Sequence, residues 1–197
     1  MNPKNRLYIV VAAVLVSAIG RADFVSVCDR SAPVRDFIVK TVSAGGTGQH
    51  DLKACADINE DDLAKLKRVA VPNRKMTTLQ AGDFQNLPNL EILNVTGNPI
   101  TELPYGVFDN LPKLKTLVMF RTKLTQLPDD FLEGMDDLEN LHIFANPFTT
   151  IPEPVLQRLA AMTHLRVLDF SGALTKETKD RLIQIFPPST HVELNFY

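Results

Sequence analysis

The sequence has no tryptophan, only two cysteines, and a formal net charge of −2 over 197 residues. Each shortage closes off a class of function. Without an excess of Lys and Arg there is no basic field to attract nucleic acid. Cys28 and Cys55 do not form a Cys-x-x-Cys pair, so no redox motif is present. Gly-x-Ser-x-Gly and His-Glu-x-x-His are both missing, which removes the nucleophile elbow and the zinc-peptidase helix. His50, His142, His164 and His191 are too scattered to suggest a metal site. The turn Ser43 to Gly48 lacks the Gly-Lys-Ser/Thr ending of a phosphate loop and reads as a linker. No catalytic residue, metal or cofactor is expected.

No apolar run reaches the roughly 20 residues of a membrane span. The longest, Leu7 to Ile19, follows Lys4 and Arg6 and precedes small residues at 18–22, the pattern of a secretory signal. An uncleaved N-terminal anchor is the alternative. Without Lys4, Arg6 and Arg21 the remainder carries 18 basic and 23 acidic residues, a balance near −5. An exported chain with two cysteines is expected to join Cys28 to Cys55. The bridge would close a loop of about 28 residues and contribute roughly 3–4 kcal/mol.

What is abundant is periodic leucine. From Leu90 to Ala161 the chain reads as three blocks of 24 residues. They open with Leu90, Leu93 and Val95, then Leu114, Leu117 and Met119, then Leu138, Leu141 and Ile143. Later apolar positions recur as Ile100, Leu103, Phe108 and Leu111, as Leu124, Leu127, Leu132 and Met135, and as Phe148, Ile151, Leu156 and Leu159. An earlier block starts at Leu66. A displaced one carries Leu165, Leu168 and Phe170, 27 residues after the Leu138 set. A fixed period of this length signals a solenoid. One block cannot bury enough apolar surface to order its own backbone, so the blocks must stack.

This pattern, with Leu103-Pro104 and Leu127-Pro128, resembles leucine-rich repeats of the 24-residue type. The segment Leu103 to Leu111 is similar to the repeats of variable lymphocyte receptors and of many secreted bacterial proteins. The resemblance covers roughly 66–175. It implies an α/β fold: a right-handed leucine-rich repeat solenoid with a parallel concave sheet of about five strands and a helical, disulfide-bearing N-terminal cap. The expected division is 1–22 signal, 23–65 cap, 66–175 repeats and 176–197 C-terminal cap. The family prefers Asn at one buried turn position. Asn98 and Asn146 occupy it here, while Arg74, Thr122 and Ala173 replace it, so an incomplete ladder is expected. A cap with two cysteines rather than four looks bacterial, periplasmic or secreted.

Within the cap, Ser31 is placed to cap a helix with Pro33 in its first turn and Val34, Phe37, Ile38 and Val42 on one face. Asn59 before Glu60, Asp61 and Asp62 starts a second, short helix. Lys176 to Phe186 reads as an amphipathic helix with Leu182, Ile183 and Phe186 inward. Val192, Leu194 and Phe196 alternate as a final strand.

Residues between the inward leucines should face outward. That places Thr116, Val118 and Phe120 on one strand, Asn140, His142 and Phe144 on the next, and Val167, Asp169 and Ser171 after them. Phe120 and Phe144 then sit side by side, with Arg121, Asn140, His142 and Asp169 around them. An apolar patch with a polar rim suits a binding surface. The expected ligand is a protein or a cell-surface glycan, gripped without catalysis. The alternatives are a self-associating envelope protein, or an effector whose catalytic domain lies elsewhere.

Overall fold

The computed structural model describes residues 24–44 and 54–197. The signal reading at 1–22, His50, and Gly45 to Gly48 of the linker lie outside them. Among the described residues no helix is long and apolar enough to cross a membrane.

Six short parallel strands form one sheet in simple sequence order: β1 Arg68–Ala70, β2 Ile92–Asn94, β3 Thr116–Val118, β4 Asn140–His142, β5 Val167–Phe170 and β6 Glu193–Phe196. The first four strands pair in a 24-residue register, Val69 with Leu93, Leu93 with Leu117 and Leu117 with Leu141. The offset widens between Leu141 and Leu168, where the longer helix α3 (Glu153–Ala161) lies. In each of the first four strands the central residue is buried and its neighbours face the other side. The sheet therefore has a core face and an open face. The sixth strand exceeds the expected count of about five because Val192 to Phe196 pairs with β5 as another turn of the solenoid.

The leucine positions of the repeat all lie in one apolar core. Three further residues join them. Val107, Phe131 and Val155 are buried on the segments that return from strand to strand, each one residue before the position that the period marks. Phe131 thereby continues a row of rings: Phe84 stacks on Phe108 at 5.9 Å, and Phe108 meets Phe131 edge-on at 6.1 Å.

Backbone groups of successive turns bond to one another outside the strands as well, as in Lys123 N to Ile100 O at 2.9 Å and Phe148 N to Leu124 O at 3.1 Å. The two asparagines satisfy what the ladder leaves. Asn98 Nδ2 donates to Val71 O and Val95 O at 2.8 Å each, and its Oδ1 accepts from Arg74 N and Met76 N. Asn146 Nδ2 donates to Met119 O at 3.0 Å and Ile143 O at 2.9 Å. Thr122 fills part of the gap between them, donating to Asn146 Oδ1 and Met119 O. The ladder is thinner at Thr122, as its shorter side chain requires, but it is not broken there.

The N-terminal cap closes the β1 end. Helix α1 (Ala32–Ala44) packs on β1, with Val34 and Ile38 fully buried. It runs through Ser43 and Ala44, which the sequence reading gave to the linker. Ser31 does not cap it. Its Oγ has no hydrogen-bond partner, while its backbone N–H donates to Asp83 Oδ1 at 2.6 Å. Asp83, fully buried, holds that N–H with one carboxylate oxygen and accepts from Gln80 N at 2.9 Å with the other. Arg30 fastens the same junction, donating to Asp83 O at 2.6 Å and Gln85 O at 2.7 Å. Burial lowers the Arg30 guanidinium to about 10 against the opposing pull of Asp83, so it remains charged at neutral pH. Cys28 is bonded to Cys55. Asn59 and Asp62 form a reciprocal capping box on α2 (Glu60–Leu63), as the local sequence predicts.

At the other end, α4 (Lys176–Ile185) buries Thr178 and Leu182, with Phe186 just beyond it. Ile183, expected inward, is 44% exposed. It lies about 100° around the helix from Leu182, and Phe186 continues the buried i, i+4 line instead.

Leaving each of the first four strands, the chain passes through a left-handed residue at the same place in the repeat. These are Asn73 (φ 55°), Gly97 (φ 68°), Arg121 (φ 54°) and Ala145 (φ 53°), in register from repeat to repeat. Only one is glycine, so Arg121 and Ala145 carry strain of about 1–2 kcal/mol each. Ala145→Gly should raise unfolding stability by about 1 kcal/mol, read as a shift of the urea midpoint at unchanged slope. Asn98→Ala should lower it by about 2–4 kcal/mol, because two N–H and two C=O groups lose their partner together. Thr122→Ala should cost less in the same titration.

Candidate functional site: the open face of the sheet

The open face is built by alternation. Thr116, Val118, Asn140 and His142 flank the buried Leu117 and Leu141 and are each partly exposed. Phe120 and Phe144 follow at the ends of their strands. Their rings stack at 4.6 Å between centroids with planes 8° apart. The backbone holds them level, since Arg121 N donates to Phe144 O at 3.3 Å.

Tyr197 extends this pair into a row. Its ring meets Phe144 at 5.1 Å, tilted by 53°, and is itself 65% exposed. The intervening strand places Ser171 between them, and so small a residue leaves room for the tyrosine to reach across. The alternation of Val192, Leu194 and Phe196 marks the strand but not the register of β6 on β5 that brings Tyr197 to this row.

A second row is polar. His142 Nδ1 lies 2.5 Å from Asp169 Oδ2, and Asn195 Nδ2 donates to Asp169 Oδ1 at 3.0 Å. Both carboxylate oxygens are therefore engaged, and the Asp169 side chain is only 10% exposed. Asp169, expected as an open rim charge, instead orients His142 and Asn195 from beneath. Ser171, also expected to face outward, is likewise buried. In a third row Asn140 Nδ2 donates to Thr116 Oγ1 at 3.3 Å.

Of the eight expected site residues, Phe120 meets Phe144, His142 meets Asp169, and Asn140 meets Thr116. Val118 lies beside His142 in the strand register. Arg121 is exposed at the rim, and no partner for its side chain occurs among the described residues. Asn195 and Tyr197 belong with them but were not anticipated.

A His–Asp pair orients an imidazole, but a triad also needs a nucleophile bonded to it. Among the described residues no hydroxyl or thiol bonds to His142. Nor do three His, Cys, Asp or Glu side chains converge to hold a metal. A groove of about 770 Å³ lies elsewhere, between α3 and α4. Four of its charged residues pair with each other, Arg181 with Glu153 at 3.3 Å and Lys176 with Asp180 at 2.5 Å. The open face instead combines a row of stacked aromatic rings with ordered polar groups.

A family model described as leucine rich repeat matches residues 64–124. No curated protein matches the chain. Among solved structures, an internalin from Listeria monocytogenes superposes with a TM-score of 0.61 at 22% identity, over 83% of this chain and 42% of its own. The leucine-rich repeat domains of APL1B and APL1 are 26% and 25% identical, with TM-scores of 0.48. Each of those alignments covers 58% of this chain, and 33% and 28% of the two domains. The chain thus spans less than half the length of each of these structures. The matched repeat over residues 64–124 and the six parallel strands, arranged as in the internalin, show that the chain has a leucine-rich repeat fold.

Proposed function

We propose that this is an exported, non-catalytic binding module that grips a protein partner along the open, concave face. Contact would come from Thr116, Val118, Phe120, Arg121, Asn140, His142 and Phe144, with Asp169 positioning His142 and with Tyr197 extending the surface. Leucine-rich repeat arrays are generally protein-binding scaffolds, which agrees with this reading. Export rests on the Cys28–Cys55 bridge, since disulfides persist in oxidising compartments, and on the signal-like residues 1–22. In this reading residues 23–65 cap the array and 176–197 close it.

The observation that carries the choice of a protein over a glycan is the ring geometry. A sugar is held by laying its C–H groups on the electron-rich face of an aromatic ring. Here Phe144 has Phe120 on one side and Tyr197 on the other. What remains of Phe144 to a ligand is largely ring edge, which suits apolar and aromatic side chains. Arg121 supports the same reading. It stands in a left-handed conformation that glycine would adopt more cheaply, so its side chain is retained at a cost beside the aromatic row.

The test is a pull-down from envelope extracts of neighbouring or host cells with the oxidised protein. A partner retained by the parent should be lost by the Phe120→Ala, Phe144→Ala double variant, with affinity falling by about 2 kcal/mol or more, roughly thirtyfold. Equal retention would move the site off this face. Loss of binding after periodate treatment of the extract would replace the protein partner with a glycan.

A further inference from the structure

The two long sides of the sheet carry different charge patterns. Where the chain enters its strands, Lys67, Glu91, Lys115, Glu139 and Arg166 stand side by side, and each after the first donates its backbone N–H to the carbonyl of the one before. Their signs alternate, and neighbours pair. Lys67 Nζ lies 3.1 Å from Glu91 Oε1, and Arg166 Nε lies 3.5 Å from Glu139 Oε2. Where the chain leaves the strands, the segments 71–75, 95–99, 119–123 and 143–147 hold Arg74, Lys75, Arg121 and Lys123 and no Asp or Glu. All four cations are exposed, and none has an ion-pair partner among the described residues. On a chain whose net charge is −2, this side is a local positive strip.

The strip leads into a groove. Helix α1 packs on β1, and about 660 Å³ opens beside that junction, with Pro33, Phe37 and Ala70 in its lining and Lys40 and Arg74 among them. Strand register explains the space. The outward residues in line with Ala70 are Asn94, Val118 and His142, all larger. Phe37 is half-buried and packs against the core, so the groove has an apolar floor. The carboxylate in its lining, Asp36, lies 3.1 Å from Arg35 Nε. Lys40 is exposed and, like Arg74, has no ion-pair partner among the described residues.

We propose that this groove and strip take an acidic segment of a polypeptide partner. The proposal deepens the function argued above and rests on it in one respect, that the partner is a protein. An aliphatic or aromatic side chain of the segment sits on the floor made by Pro33, Phe37 and Ala70, and its carboxylates meet Lys40 and Arg74. The segment then follows the strip toward Arg121, Lys123 and the aromatic row. Arg74 N donates to Asn98 Oδ1 and Lys123 N to Ile100 O, so Arg74 and Lys123 lie on turns two apart. Strand spacing makes that roughly 10 Å, the reach of about three residues of extended chain. A sulfated glycan would satisfy the cations and leave the apolar floor bare. The two features together select a segment that is both acidic and apolar.

Fluorescence anisotropy with labelled polymers and the oxidised full chain tests this. A random glutamate–tyrosine copolymer should bind, more tightly than polyglutamate or heparin, and polylysine should not bind. Raising the salt from about 0.05 to 0.5 M should weaken the copolymer complex. Lys40→Glu with Arg74→Glu should weaken it about tenfold or more, and Lys40→Gln with Arg74→Gln should fall between that variant and the parent. Lys113→Glu with Lys176→Glu makes the same charge change away from the strip and should bind as the parent does. All four side chains are exposed, so each circular dichroism spectrum should match the parent. The proposal is overturned if the copolymer does not bind, if heparin binds more tightly, or if the two charge-reversed pairs lose binding equally. It also falls if an envelope partner lost by the Phe120→Ala, Phe144→Ala variant is retained by Lys40→Glu with Arg74→Glu, while the open-face reading stands. Copolymer binding that only the strip variants weaken, beside an envelope partner that the phenylalanine variant retains, supports the strip and removes the aromatic row.

Discussion

The structure depends on one column of side chains. Val69, Leu93, Leu117, Leu141 and Leu168 are stacked by strand register, and each is sealed by the turns on either side of it. No turn has a core of its own. The strand ladder, the asparagine bonds of Asn98 and Asn146, and the row of Phe84, Phe108 and Phe131 all require the same spacing as the leucines. A residue inserted inside a turn must therefore be absorbed where it does not disturb the column. The widened offset before Leu168 is absorbed by α3, on the segment between strands, and the β4–β5 pairing remains in step.

The same register dictates the open face. Because inward positions must be leucine-like, sequence freedom is confined to the residues between them and to the turn that follows. Four consecutive turns use the left-handed conformation, and two of them place Arg121 and Ala145 there. These strained residues adjoin Phe120 and Phe144, whose rings stack. The solenoid thus supplies regular backbone, and the residues at these turns depart locally from the cheapest choice.

Most of the fold was legible because burial in a repeat is periodic, and period is what a sequence displays directly. Val69, Leu93 and Leu141 followed from spacing alone, and the bridge from there being only two cysteines. Three kinds of feature were not legible. Ile183 and Leu182 are adjacent and equally apolar, so only the helix phase set by packing separates them. Ser31 is a competent cap by residue type, but Asp83, distant in sequence, holds its backbone N–H. Asp169 is outward by alternation, yet it is enclosed because His142 and Asn195 both bond to it across strand boundaries. On the open face, alternation brought Phe120 and Phe144 together correctly. Tyr197 needed the register of a strand whose spacing from its neighbour differs from the repeat.

A surface ordered by its own contacts has consequences for recognition. The aromatic row fixes its rings by mutual stacking, Asp169 fixes His142 and Asn195, and Thr116 fixes Asn140. Those side chains have already lost much of their rotamer freedom in the free protein, so a partner need not impose that loss on binding. The same contacts consume donors and acceptors. Asp169 is nearly enclosed, with both oxygens engaged, and Asn140 and Asn195 are partly committed. On the proposed binding reading, the groups left to discriminate between partners are the ring edges, the His142 Nε2 and the exposed Arg121 guanidinium. A face of this kind would select by shape along the row of rings and by one or two charged or polar contacts at its rim, rather than by a dense hydrogen-bond pattern.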